Sequence, residues 1–156
     1  MLIPSLDNRG LLPPGIHLGT WKQVETAFAT DPRRQSLIGN AKSFSLSTIN
    51  SLYPSPLFLA GSTFSDKGYP NDIEATIKID PNGLNKAQLV TLFQLQSMHS
   101  FIKNNMEIDF YVTIDKPGAN DFSVFFQYVG EKTAIAKNLQ PKDMRGVVEV
   151  DKWTTP

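Results

Sequence analysis

The sequence predicts an α+β chain (α/β in its layering): a small mixed, largely antiparallel sheet of about four or five strands, with helices on one face. Three observations predict it. Residues 72–79 alternate strictly, with Asp72, Glu74, Thr76 and Lys78 on one side and Ile73, Ala75, Ile77 and Ile79 on the other. Residues 107–114 do the same, with Glu107, Asp109, Tyr111 and Thr113 opposed to Ile108, Phe110, Val112 and Ile114. Between them Leu89, Leu92, Phe93, Leu95, Met98 and Ile102 recur at helical spacing. Period two marks a half-buried strand, and the helical period marks a helix with an apolar face to bury.

The other elements follow in order. Pro4, Gly10, Pro13-Pro14 and Gly15 punctuate residues 1–19, which read as an irregular arm. Thr20 caps a short helix over residues 21–29 whose Trp21, Val24 and Phe28 share a face. Asp31-Pro32 reads as an N-cap followed by proline at the first helical position. Ile38, Ala41, Phe44, Ile49 and Leu52 continue that helix until it must stop before Pro54. Serines 43, 45 and 47 on it face solvent or bond back to carbonyls. After the first alternating strand, Pro81-Asn82-Gly83 turns the chain, and Asn85 with Gln88 forms a capping box for the long helix. Lys103-Asn104-Asn105 ends that helix, asparagine being able to take the left-handed conformation. Asp121 caps a last helix with Phe122, Phe125, Phe126 and Val129 on its core face.

Composition bounds the function. At 156 residues and 40% hydrophobic, the chain is long and apolar enough for one domain with its own core. Fifteen basic and fifteen acidic side chains leave no excess to drive a long nucleic-acid footprint. A small phosphorylated ligand remains compatible. With no cysteine, disulfides, thiolate metal sites and a cysteine nucleophile are excluded. No apolar run reaches membrane-spanning length and no basic region precedes an apolar one at the N-terminus, so a cytoplasmic protein without membrane partners is expected. His17 and His99 are far apart in sequence, and neither lies in a pattern with acids at ligand spacing. His17, just after Pro14-Gly15-Ile16, reads as a structural hydrogen-bonding group.

The chemistry concentrates in residues 57–79. An apolar run ends abruptly at Gly61-Ser62, a polar loop with Gly68 and Pro70 follows, and the strand with Asp72 and Glu74 begins. Alternate positions place those two carboxylates on the open face, about 6–7 Å apart along the strand. Paired carboxylates suit a divalent cation, Mg²⁺ or Mn²⁺, shared with substrate phosphates. Glycine lets a backbone N–H approach an anion, and serine adds a hydroxyl donor, so Gly61 and Ser62 suit the phosphates. If the 107–114 strand pairs beside them in register, Asp109 joins the same patch, with Glu107 in reserve nearer the frayed end.

A hydrophobic strand, Gly-Ser, a short spacer and then Asp-x-Glu resembles the signature of the polymerase-β-like nucleotidyltransferase superfamily. Asp-x-Glu in place of Asp-x-Asp is permitted there. The passage Leu12-Pro13-Pro14-Gly15-Ile16-His17 followed by Trp21 resembles the opening of a small bacterial and phage family known only as nucleotidyltransferase-like. Phe125-Phe126-Gln127 and residues 145–150 extend that likeness over most of the chain.

The resemblance implies that Asp72, Glu74 and Asp109 are the catalytic and metal-holding acids of a two-metal site. It also implies that Gly61 and Ser62 bind the triphosphate of an NTP, most simply ATP. Lys67 either neutralises that triphosphate or stands in water at a loop tip, and Tyr69 either stacks on a base or packs on its loop. The implied reaction is transfer of a nucleoside monophosphate to an unknown hydroxyl acceptor. A protein acceptor or partner in toxin–antitoxin or phage–host conflict fits the analogy. The competing expectation is a catalytically inert relative acting as a nucleotide- or protein-binding module. A third is a structural interaction protein that uses the N-terminal arm.

Overall fold

The computed structural model describes residues 3–151. Gly15–Gly19 is a strand, β1, which corrects the expectation of an irregular arm through residue 19. It pairs in parallel with β5 (Gly146–Val150) from the other end of the chain, Ile16 opposite Val147 and Leu18 opposite Glu149. Pro13-Pro14-Gly15 hides the strand locally, because only that distant partner completes its hydrogen bonds. His17 Nε2 bonds to the Pro13 carbonyl oxygen at 2.6 Å, the structural role expected of it.

Thr20 and Gln23 form a capping box at the start of α1 (Trp21–Phe28), whose Trp21, Val24 and Phe28 are buried. Asp31 accepts from the Arg34 N–H and Pro32 opens α2 (Pro32–Ser43). The path continues through a π-helical turn, Phe44–Ile49, and α3 (Asn50–Leu52). That wider turn shifts the apolar stripe and buries Ser45, which was expected to face solvent.

β2 (Leu57–Ala60) is buried throughout. β3 (Ile73–Ile79) buries Ile73, Ala75, Ile77 and Ile79, as the alternation requires. Asn85 and Gln88 box the start of α4 (Lys86–Ser97). The expected long helix breaks at Met98, and α5 (His99–Met106) leaves in a new direction. Phe93 and Met98 are exposed as a consequence, contrary to the single apolar face inferred. The helix ends at left-handed Glu107, φ 57°, and not at the asparagines. Glu107 is held there by Arg33 Nη2 at 2.5 Å, while its carbonyl accepts from the Ile73 N–H at 3.0 Å.

β4 (Ile108–Ile114) completes a five-stranded sheet in the order β1-β5-β2-β3-β4. The inner joints, β5–β2 and β2–β3, are antiparallel, and the edge joints, β1–β5 and β3–β4, are parallel. The helices from α1 to α5 bury the face that carries Leu59, Ala75, Ile77, Phe110 and Val148.

The last helix is shorter than expected: only Phe122–Phe125 is helical (α6), followed by irregular turns and an unforeseen helix, α7 (Glu131–Lys137). Phe122 and Phe126 pack on the opposite face of the sheet, against Tyr111, Phe58 and Val147. Phe125 turns outward and is 49% exposed, so the phenylalanine stripe is not wholly core. Among the described residues no helix is long and apolar enough to cross a membrane.

Candidate functional site

β2 ends at Gly61 with φ 99° and ψ −170°, a backbone region essentially restricted to glycine. The chain there passes so close to β3 that a Cβ on Gly61 would lie 3.4 Å from Glu74 Cγ. The 3₁₀ turn Ser62–Phe64 follows. Phe64 anchors it in the core, edge-on to Phe28 with centroids 4.9 Å apart. Thr63 Oγ1 donates to the Asp72 carbonyl at 3.1 Å and so ties the turn to the start of β3.

Two neighbouring arginines on the first turn of α2 hold the rest of the loop. Arg34 is buried and donates to the carbonyls of Thr63 (2.9 Å), Ser62 (3.3 Å), Ser65 (2.7 Å) and Lys67 (2.7 Å). Asp31 Oδ2 accepts its remaining arm at 2.9 Å. Arg33 donates to the carbonyls of Pro70 (2.8 Å) and Asn71 (2.6 Å), and its guanidinium lies over the Tyr69 ring. Tyr69 is 63% exposed, and its ring meets Arg33 of α2.

The three acids share the sheet face opposite the helix layer. Glu74 pairs one to one with Asp109 across the parallel β3–β4 joint, which meets the expectation of in-register pairing. Asp72 stands two residues before Glu74, on the same side of the alternation. Each acid has a basic partner: Asp72 lies 3.7 Å from Lys103 Nζ, Glu74 lies 3.3 Å from Arg145 Nη2, and Asp109 lies 2.6 Å from His99 Nε2. Burial pushes the Glu74 carboxyl above its ordinary pKa. Arg145 opposes the rise, and the nearby charges of Asp109 and Asp72 add to it. Burial, with Asp109 beside it, pushes the Tyr111 phenol up to about 12.

The acids open into a cleft of about 440 Å³. Ser62 and Lys67 line it, as do Lys103, Lys132 and Arg145, with Phe125 and Tyr128 on the far wall. A larger hollow of about 550 Å³ lies behind the same loop, between residues 3–6 and Phe28. Its acids, Asp31 and Asp66, are engaged by Arg34 and Lys137.

The structure thus brings together Asp72, Glu74, Asp109, Ser62 and Lys67, with Gly61 against Glu74. It does not bring Glu107, whose carboxylate turns to Arg33 and is held below its ordinary range by that hydrogen bond. Sequence reasoning missed His99, because the helix break at Met98 reorients the turn that delivers it to Asp109. It missed Lys103 and Lys132, and did not pair Arg145 with Glu74. Arg34 reads in sequence as an ordinary charge on a helix start.

Three hard carboxylate donors on one rim suit Mg²⁺ or Mn²⁺ in type. The mutual repulsion felt at Glu74 is what a cation relieves. Among the described residues, however, no group of three or more His, Cys, Asp or Glu side chains is arranged to hold a metal ion. Lys103, Arg145 and His99 now occupy the acids, which would have to turn from them to share an ion.

Fold and cleft define the class: an α+β protein whose mixed sheet carries an acidic rim inside a ring of basic side chains. The chain belongs to a family of unknown function, DUF6932, whose model matches residues 4–151. No curated protein and no solved structure matches it.

Proposed function

We propose that the protein is a minimal nucleotidyltransferase, which moves a nucleoside monophosphate from an NTP, ATP in the first instance, to a hydroxyl acceptor. One observation carries the reading. The in-register pair Glu74–Asp109 and the neighbouring Asp72 share one cleft with the Gly61–Ser62 turn, and Lys67, Lys103, Lys132 and Arg145 surround them. Anionic and cationic groups interleaved in this way match a polyphosphate that arrives with its divalent counter-ion.

In that reading the Ser62 hydroxyl and the backbone beside Gly61 hold the phosphates, and the basic side chains neutralise them. Asp72, Glu74 and Asp109 would hold Mg²⁺ or Mn²⁺, which when bound would acidify the acceptor hydroxyl and offset the charge of the leaving group. The acceptor oxygen attacks the α-phosphorus, the bond to the β-phosphate oxygen breaks, and pyrophosphate leaves. The acceptor proton passes to the Asp109 carboxylate. Catalysis comes almost entirely from positioning and charge neutralisation.

A second reading is favoured by the pairing of every acid with a base. A cleft already charge-compensated can bind a nucleotide or a protein without turning it over. ATP labelled at its α-phosphate, incubated with the protein, Mg²⁺ or Mn²⁺ and cell extract, separates the two. Transfer of label that is lost in Asp72→Ala and Glu74→Ala supports the enzyme. Label that survives both substitutions rules out the acidic site. ATP binding without transfer favours the inert module.

A further inference from the structure

The cleft is lined by aromatic as well as charged side chains. Phe125 is 49% and Tyr128 38% exposed, while their neighbours Phe122 and Phe126 are tucked against Tyr111. Phe122 stacks on Tyr111 with centroids 4.4 Å apart, and Phe125 meets Phe122 edge-on at 5.9 Å. The buried rings thus fix the backbone that presents the exposed ones. Tyr128 is held beside the charged side by an isolated bridge to Met144 and by the Arg145 N–H, which donates to the Gln127 carbonyl at 2.7 Å. Arg145 in turn bonds Glu74. One short tether therefore sets the distance between the aromatic wall and the acidic rim.

We propose that Phe125 and Tyr128 form the seat for the nucleobase of the nucleoside polyphosphate, a subsite distinct from the acidic and basic groups that take its phosphates. The inference rests on the nucleotide reading above and extends it: the ligand must carry a flat, uncharged ring as well as phosphates. Two large, partly exposed rings in a cleft that also carries acidic and basic groups match such a two-part ligand, and a bare polyphosphate would leave them unused. Stacking accepts any base, because every base has a π-face. The seat fixes the presence of a base and leaves its identity open.

Calorimetric titration with Mg-ATP and with Mg-tripolyphosphate tests this on the wild type, Phe125→Ala, Tyr128→Ala and the double variant. The wild type is expected to bind ATP more tightly than tripolyphosphate. The double variant is expected to lose roughly ten- to a hundredfold in ATP affinity, by the usual worth of base stacking. Its tripolyphosphate affinity is expected to stay unchanged, which also shows that the variant is folded. Phe125→Tyr should restore ATP binding to the single alanine variant.

Equal wild-type affinity for the two ligands, or unchanged ATP binding in the double variant, overturns the base seat and leaves the phosphate site standing. Loss of both ligands together in the double variant shows that the rings serve the fold, and also overturns it. Binding of neither ligand by the wild type overturns the base seat and the nucleotide reading together.

Discussion

Glu74 and Asp109 stand opposite each other, residue for residue, across the parallel pairing of β3 and β4. Adjacent strands lie about 4.8 Å apart, so two carboxylates are set side by side on one pleated face. Like charges directly opposed destabilise a sheet. Arg145 pairs with Glu74 and His99 hydrogen-bonds Asp109, yet the Glu74 carboxyl still holds its proton more tightly than usual, chiefly through burial, with Asp109 and Asp72 adding to it. Proteins keep such destabilised arrangements where a site requires them.

Glu74→Gln is therefore expected to stabilise the protein, and more so as pH rises. With its folded pKa raised above the ordinary carboxyl value of 4.5, Glu74 contributes stability below that value. The contribution is lost as pH climbs through the folded pKa. Glutamine, uncharged throughout, escapes the loss. The difference in melting temperature between variant and wild type should be small near about pH 4.5 and grow toward about pH 8. A constant difference across that range would mean that the fold does not penalise the ionised carboxylate.

Gly61→Ala is expected to cost about 1–3 kcal/mol, the strain of a non-glycine residue in that backbone region. The new methyl would also press on Glu74 Cγ. Gly68→Ala, seven positions on in the same loop, is the control: nothing lies within 4 Å of a Cβ there, and its φ is not positive. Urea denaturation should show a clear drop for the first variant and little change for the second. Equal effects would assign the cost to the loop in general and not to the conformation at Gly61.

The parts of this molecule that were legible in the sequence are those fixed by neighbouring residues. The Thr20 cap, the Asn85–Gln88 box, the Asp31-Pro32 start, and the alternation of β3 and β4 rest on contacts within a few positions. Their pairing followed because one register buries both apolar sets on the same face. β1 was hidden because its partner lies at the far end of the chain. The break at Met98 is set by how α4 and α5 each meet β4, which no periodicity records. Asp72 and Glu74 could be picked out because the alternation puts them on one face, and Asp109 joined them only on the condition of in-register pairing, which the structure supplies. His99 could not, since a helix break decides where its ring points.

His99→Phe separates the role of that ring from its hydrogen bond. Phenylalanine keeps an aromatic ring against Tyr111, whose centroid is 4.8 Å from that of His99, and removes the donor or acceptor at Asp109. If the cleft transfers nucleotides, the rate should fall roughly ten- to a hundredfold, the usual effect of losing a group that orients a ligating carboxylate. Stability should change by no more than about 1 kcal/mol, the net worth of one hydrogen bond. A large stability loss with intact transfer would make His99 a structural residue only.

Arg34→Met tests what holds the loop over the site. The guanidinium is the common donor to four carbonyls between Ser62 and Lys67, and the side chain is only 8% exposed. Methionine would fill some of the volume but leave those carbonyls and the Asp31 carboxylate short of a partner. Removing one member of a buried charged network typically costs about 3–5 kcal/mol. Arg34→Lys should recover only part of the loss, because an ammonium has three donors and no planar fork with which to reach carbonyls on several sides. Chemical denaturation measures both variants. Limited proteolysis adds the location: cleavage should appear first between residues 62 and 71, the stretch that Arg34 and Arg33 tie down. Should the lysine variant match the wild type in stability and protease resistance, the fork of hydrogen bonds is not what orders the loop, and the burial of Phe64 and Thr63 would have to do so alone.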